Sequence, residues 1–170
     1  MSDDTFPDVR WGPKAGPLVM KAMASFGATE FGSWTIRKLT PLDRALLRRS
    51  EGRLTVLGPI GAPLLLLTTT GRKTGKLRTT PLVYMRDGDR LFLLGSNFGQ
   101  QHHPAWTENL IADPNAWVTM NGEEIPVVAT LLTGAEHDRV FTMFADYIDS
   151  YHTYRGRTDR ELRSFALTKR

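Results

Sequence analysis

The chain has 170 residues, 41% of them hydrophobic and 24% charged, which is enough for one well-filled core and argues against wholesale disorder. With no cysteine, disulfides, thiolate nucleophiles and Cys-ligated zinc are excluded, so redox chemistry has to come from a bound cofactor. A net charge of +4 favours anionic partners but does not by itself indicate nucleic acid.

The N-terminus, MSDDTFPDVR, is acidic and has no apolar signal region, and no apolar run approaches the roughly 20 residues of a membrane span. A cytoplasmic protein is expected. Leu18, Val19, Ala22, Met23 and Phe26 recur at helical spacing, predicting a short amphipathic helix over residues 15–26. Thr40, Pro41 and Asp43 read as N-cap, N1 proline and N3 acid of a second helix that runs through Arg49 and stops by Gly52. Arg37, Lys38, Arg44, Arg48, Arg49 and Arg53 crowd this stretch, either as a solvated helix face or as a peripheral contact with an anionic membrane.

After Gly52 the pattern shifts to short strands, expected at residues 54–57, 64–70, 78–85, 90–95, 116–120 and 123–132. Asp87-Gly88-Asp89 and Asn121-Gly122 are hairpin signals, so neighbouring strands should pair antiparallel. A helix over 104–112 would carry Pro104 at N1 and end at Asp113-Pro114. Another begins at Thr133, where Thr133 and Glu136 match a capping box, and continues to about Ser150 with Val140, Phe141, Phe144 and Ile148 on one face. Residues 162–167 supply a last strand. Such a meander, without βαβ alternation, predicts an α+β fold built on a small barrel, one domain over 1–170 with residues 1–52 as a helical extension.

Between two of these strands lies GRKTGK, residues 71–76. From Gly52 to Arg86 there is no Asp or Glu, while Arg53, Arg72, Lys73, Lys76, Arg78 and Arg86 all occur, so nothing nearby is expected to neutralise the turn. Gly71 and Gly75 would let backbone N–H groups converge on an oxyanion. Lys73 and Lys76 add point charges, Arg72 and Arg78 planar forks, and Thr74 a hydroxyl. A solvated hairpin tip is the plain alternative. The spacing is not that of a Walker A loop, because strand leads to strand.

Other residues carry less. Trp106 on a short helix is either core or a wall for a ligand. His102 and His103 are adjacent in a loop and lack any partner set at metal-ligand spacing, so no metal is expected. Glu123 and Glu124 point to opposite faces of a strand and make no acid pair. Aromatic residues do not interleave the basic strands, which argues against nucleic acid.

Three separated segments, LLTTTGRKTGKLRTTPL, RDGDRLFLLGSNFGQQHHPAWTENLIADP and YRGRTDRE, together resemble the deazaflavin-dependent nitroreductase family of actinobacteria across residues 64–161. That resemblance implies a split β-barrel, related to flavin-mononucleotide-binding oxidoreductases, that binds coenzyme F420, a cofactor carrying a phosphate and a carboxylate tail. It implies that Arg72, Lys73 and Thr74 hold the phosphate and tail with Arg78 nearby, and that Thr80, Pro81 and Leu82 line the deazaflavin. Ser96, Asn97 and Gly99 of the SNFG loop and Pro104, Ala105, Trp106 and Asn109 of the following helix complete the cofactor site. Ile148, Tyr151 and Tyr154 would face the substrate, with Tyr151 or Ser96 as catalytic hydrogen-bond or proton donor. Asn97 and Phe98 stand where the best-known branch has lysine and glycine, and Ile148 where it has the first of three tyrosines.

The implied activity is hydride transfer from reduced F420 to a small organic acceptor such as a quinone, a nitroaromatic or an activated enone, by a monomer or homodimer. A non-catalytic deazaflavin carrier and an FMN-binding split-barrel protein are the alternatives.

Overall fold

A computed structural model describes residues 6–7, 63–97, 100–147, 152, 156 and 161–170. Both expected N-terminal helices and the expected strand 54–57 fall outside the described residues, as do Gly99, Ile148, Tyr151 and Tyr154.

Among the described residues, seven strands form one sheet: β1 (Leu64–Thr70), β2 (Leu77–Val83), β3 (Met85–Asp87), β4 (Arg90–Leu94), β5 (Asn115–Met120), β6 (Glu123–Leu132) and β7 (Ser164–Lys169). Helix α1 (Ala105–Ala112) separates β4 from β5, and helix α2 (Gly134–Tyr147) follows β6. Neighbours run β2-β1-β5-β6-β7-β4-β3. Every pairing is antiparallel, as the hairpin signals require.

The two ends of that order, β2 and β3, are joined in the chain by Tyr84 alone. One residue cannot cross a flat seven-stranded sheet, so the sheet curls back on itself as a half-barrel. The expected single strand 78–85 is therefore broken at Tyr84, whose N–H bonds the Pro63 carbonyl at 3.0 Å, one step beyond the Leu64–Val83 pair, while its ring is buried. Val83 belongs to one edge and Met85 to the other.

Strand periodicity sorts the side chains into two cores. Leu65, Leu67, Leu91, Leu93, Val118, Val127, Phe165 and Leu167 fill the barrel interior with Tyr84, Trp106 and Phe6. Phe92, Leu94 and Ala166, the alternate residues of β4 and β7, face outward and are covered by Val140, Phe141 and Phe144 of α2. Arg90 and Arg139 lie over the Phe92 ring at 5.2 and 5.3 Å and pair with Glu136 and Asp87, pinning α2 to the β3–β4 hairpin.

Element ends depart from expectation for local reasons. Pro104 has ψ 141°, so it is the N-cap of α1, not its first helical residue. Its carbonyl accepts both the N–H and the hydroxyl of Thr107. Glu136 gives its carboxylate to Arg90 at 2.7 Å rather than closing a capping box. The last strand begins at Ser164, two residues late. Asn121 (φ 52°) and Gly122 (φ 83°) do form the tight β5–β6 turn. No helix among the described residues is long and apolar enough to cross a membrane.

Candidate functional site

The GRKTGK turn closes on itself. Gly71 N–H donates to the Lys76 carbonyl at 2.9 Å, and Thr74 and Gly75 N–H both donate to the Gly71 carbonyl at 3.0 and 2.7 Å. Gly75 has φ 66°, which glycine adopts without strain, and a Cβ on Gly71 would sit 3.0 Å from the Lys76 carbonyl oxygen. The expected nest of convergent N–H groups is thus overturned: the amides are consumed in making the turn. Among the described residues of the turn, only the Lys73 N–H has no acceptor. Anion binding here has to rest on side chains.

Those side chains are well placed for it. Residues 72–78 are all exposed. Lys73, Lys76 and Arg78 make no ion pair among the described residues. Thr74 Oγ1 lies 3.4 Å from the Lys76 N–H, a weak contact that leaves the hydroxyl hydrogen available.

Asn109 fixes where this turn stands. Its Oδ1 accepts the Arg72 N–H at 3.1 Å and its Nδ2 donates to Thr69 Oγ1 at 3.0 Å, so the amide links α1, the end of β1 and the turn. Both Asn109 and Thr69 are buried. Buried and bonded at both ends of its amide, Asn109 acts as a strut. Trp106 likewise points into the barrel core, its ring 5.6 Å from that of Phe165. Ala105 is exposed and Pro104 half-buried at the helix start.

Glu108, between these residues in α1, was invisible to the sequence argument. Its Oε1 accepts from Arg163 Nη1 and its Oε2 lies 3.8 Å from Arg72 Nε. An acid distant in sequence therefore does stand against the turn, correcting the expectation that nothing neutralises it. The Arg163 hydrogen bond, opposed by partial burial and helped by the charges of Arg163, Arg72 and His103, holds the Glu108 carboxyl below its usual range.

Arg163 also joins the SNFG loop to this ledge. Its carbonyl accepts the Gly95 N–H at 2.8 Å, one residue before Ser96. A Cβ on Gly95 would lie 2.8 Å from Thr107 Cγ2, so glycine allows α1 to rest directly on the end of β4. Asn97 takes a positive φ of 46° and donates to the His102 carbonyl at 3.0 Å. Ser96 and Asn97 are half-buried beside α1.

On β2, Arg78, Thr80 and Leu82 alternate onto one face, paired with Thr69, Leu67 and Leu65, while Pro81 lies opposite Leu66 and faces the other way. Thr80, Pro81 and Leu82 are each half-buried, but the three do not share one surface. Leu82 packs against the barrel core. The structure thus ties the turn at Arg72 to α1 through Asn109 and Glu108, and α1 to the chain just before Ser96 through Arg163. It assigns Trp106 and Asn109 to support and adds Glu108 and Arg163.

A family model described as F420H(2)-dependent quinone reductase matches residues 41–169. The chain belongs to that family. An F420H(2)-dependent quinone reductase of Mycobacterium tuberculosis is 33% identical over 138 residues, covering 78% of this chain and 91% of the relative. A solved F420-H2 dependent reductase is 30% identical with a TM-score of 0.57, covering 62% of this chain and 93% of that one. The haem storage protein HutZ of Vibrio cholerae, at 14% identity and TM-score 0.50, shares the fold alone. The resemblance read from the three motifs and the expected split-barrel architecture are both borne out. As an F420H(2)-dependent quinone reductase family member the chain is an oxidoreductase, and coenzyme F420 is the cofactor that membership implies.

Proposed function

We propose that this protein reduces a quinone at the expense of reduced coenzyme F420, with the cofactor's phosphate and carboxylates held at the GRKTGK ledge. The carrying observation is that Lys73, Lys76 and Arg78 are exposed and have no acid partner among the described residues, next to an Arg72 whose main chain is locked by Asn109. Unpaired cations on a rigid turn fit a polyanion; a ligand lacking charge would leave them unused.

Arg72, Lys73, Thr74 and Arg78 bind and orient the charged end. Thr80, Pro81 and Leu82 flank the ring system with Ser96, Asn97 and Gly99, and the start of α1 at Pro104 and Ala105 adds the positive end of the helix dipole. When bound, the reduced deazaflavin supplies the hydride. Conversion of a quinone to hydroquinone also needs a proton on the acceptor oxygen, and Ser96 or Tyr151 is the donor we assign to it. Ile148 and Tyr154 bound the acceptor. Nitroaromatics and activated enones are further acceptors open to the same chemistry.

Mixing the protein with reduced coenzyme F420 and menadione should return the visible absorbance of the oxidised coenzyme faster than menadione alone does. A protein that binds the coenzyme but leaves that rate unchanged is a carrier, and the reductase proposal falls.

A further inference from the structure

We propose that Glu108 is a fixed counter-charge that weakens retention of the anionic cofactor at the ledge, so that spent cofactor is exchanged. The inference rests on the reading of the GRKTGK ledge as the cofactor's anion site. Glu108 cannot easily swing away. It lies on α1, which Asn109 ties to β1 and to the turn, and Arg163 grips one carboxylate oxygen. Its other oxygen is 3.8 Å from Arg72 Nε, an ion pair too long for a hydrogen bond.

Geometry decides the sign of the effect. With 44% of its side chain exposed, Arg72 gains little fixation from so loose a pair, and its main chain is already held by Asn109. Pre-organisation by Glu108 is accordingly small. Repulsion is not, because any anion that approaches Arg72 approaches the tethered carboxylate too. Removing that charge leaves Arg72, Lys73, Lys76, Arg78 and Arg163 unopposed, and a polyanion should bind more tightly. A donor that gives up its hydride once per turnover must leave or be re-reduced, so moderated affinity serves exchange.

Titration of wild-type protein and Glu108→Gln with oxidised coenzyme F420, followed by its fluorescence, tests the idea. The variant should bind about two- to fivefold more tightly at low salt. That advantage should shrink as ionic strength rises to about 0.5 M. Damage to packing would weaken binding and so has the opposite sign. Should the glutamine variant fold poorly, Glu108→Met removes the same charge and gives the same comparison. Unchanged or weaker binding by a folded charge-removing variant, with the wild type binding normally, overturns this inference alone. A wild type that does not bind the coenzyme removes the ledge assignment and this inference together.

Discussion

Replacing Phe6 with alanine should cost about 3 to 5 kcal/mol of folding stability, as large as any single core truncation. Phe6 is 1% exposed and belongs to the barrel core, far in sequence from β1. Its carbonyl accepts Arg86 Nη1 at 2.6 Å and its ring lies under Lys169 Nζ at 5.5 Å, so the residue joins β3 to the end of β7. Alanine would leave a cavity that the rigid barrel cannot fully close. Domains of this size carry only about 5 to 15 kcal/mol in total, so the loss should shift the denaturant midpoint markedly with an unchanged slope. Phe6→Leu, which retains most of the volume, should recover much of it. A Phe6→Ala midpoint within error of the wild type would mean that the segment around Phe6 contributes nothing to the barrel in solution.

Asn109→Ala should lower stability by about 1 to 3 kcal/mol and weaken binding of the anionic cofactor as well. Thr69, 1% exposed, would lose the Asn109 Nδ2 donor to its hydroxyl, and the Arg72 N–H would lose its acceptor. Water can reach the turn more readily than the Thr69 hydroxyl, which is why the upper end of the range is not doubled. Loss of the strut frees the turn from α1, and a mobile turn has to be ordered again when the cofactor binds. Chemical denaturation and cofactor titration of one preparation check both effects. A variant that is destabilised yet binds with wild-type affinity would show that the turn keeps its place without Asn109.

Much of this molecule was legible in its sequence, because the legible parts are local. Asn121-Gly122 specified a turn needing positive φ, alternation specified which faces of β4 and β7 are buried, and GRKTGK announced an exposed cationic tip. The break at Tyr84 was not legible: Leu82 to Met85 reads as one apolar strand, and only closure of the sheet makes its two halves opposite edges. Phe6 sits in an acidic segment that looks like a tail, and nothing nearby shows that a barrel end awaits an aromatic ring.

The site was legible as an inventory but not as an arrangement. Absence of acids from Gly52 to Arg86 was a true statement about sequence and a misleading one about space, since Glu108 arrives from α1 and Arg163 from the end of the chain. Asn109 and Trp106 belong to the motif that carries the family resemblance, and their side chains are buried against Thr69 and Phe165. A motif identifies which residues matter more readily than what each one touches.

The most direct measurement is a calorimetric titration of the wild type and Lys73→Ala with coenzyme F420 and, separately, with flavin mononucleotide. The deazaflavin should bind at micromolar concentration or tighter, in preference to the flavin. The variant should lose about 1 to 3 kcal/mol of that affinity, less at high salt, with folding unaffected. Preference for the flavin, or equal deazaflavin affinity in the two proteins, would contradict the placing of the cofactor at the GRKTGK ledge.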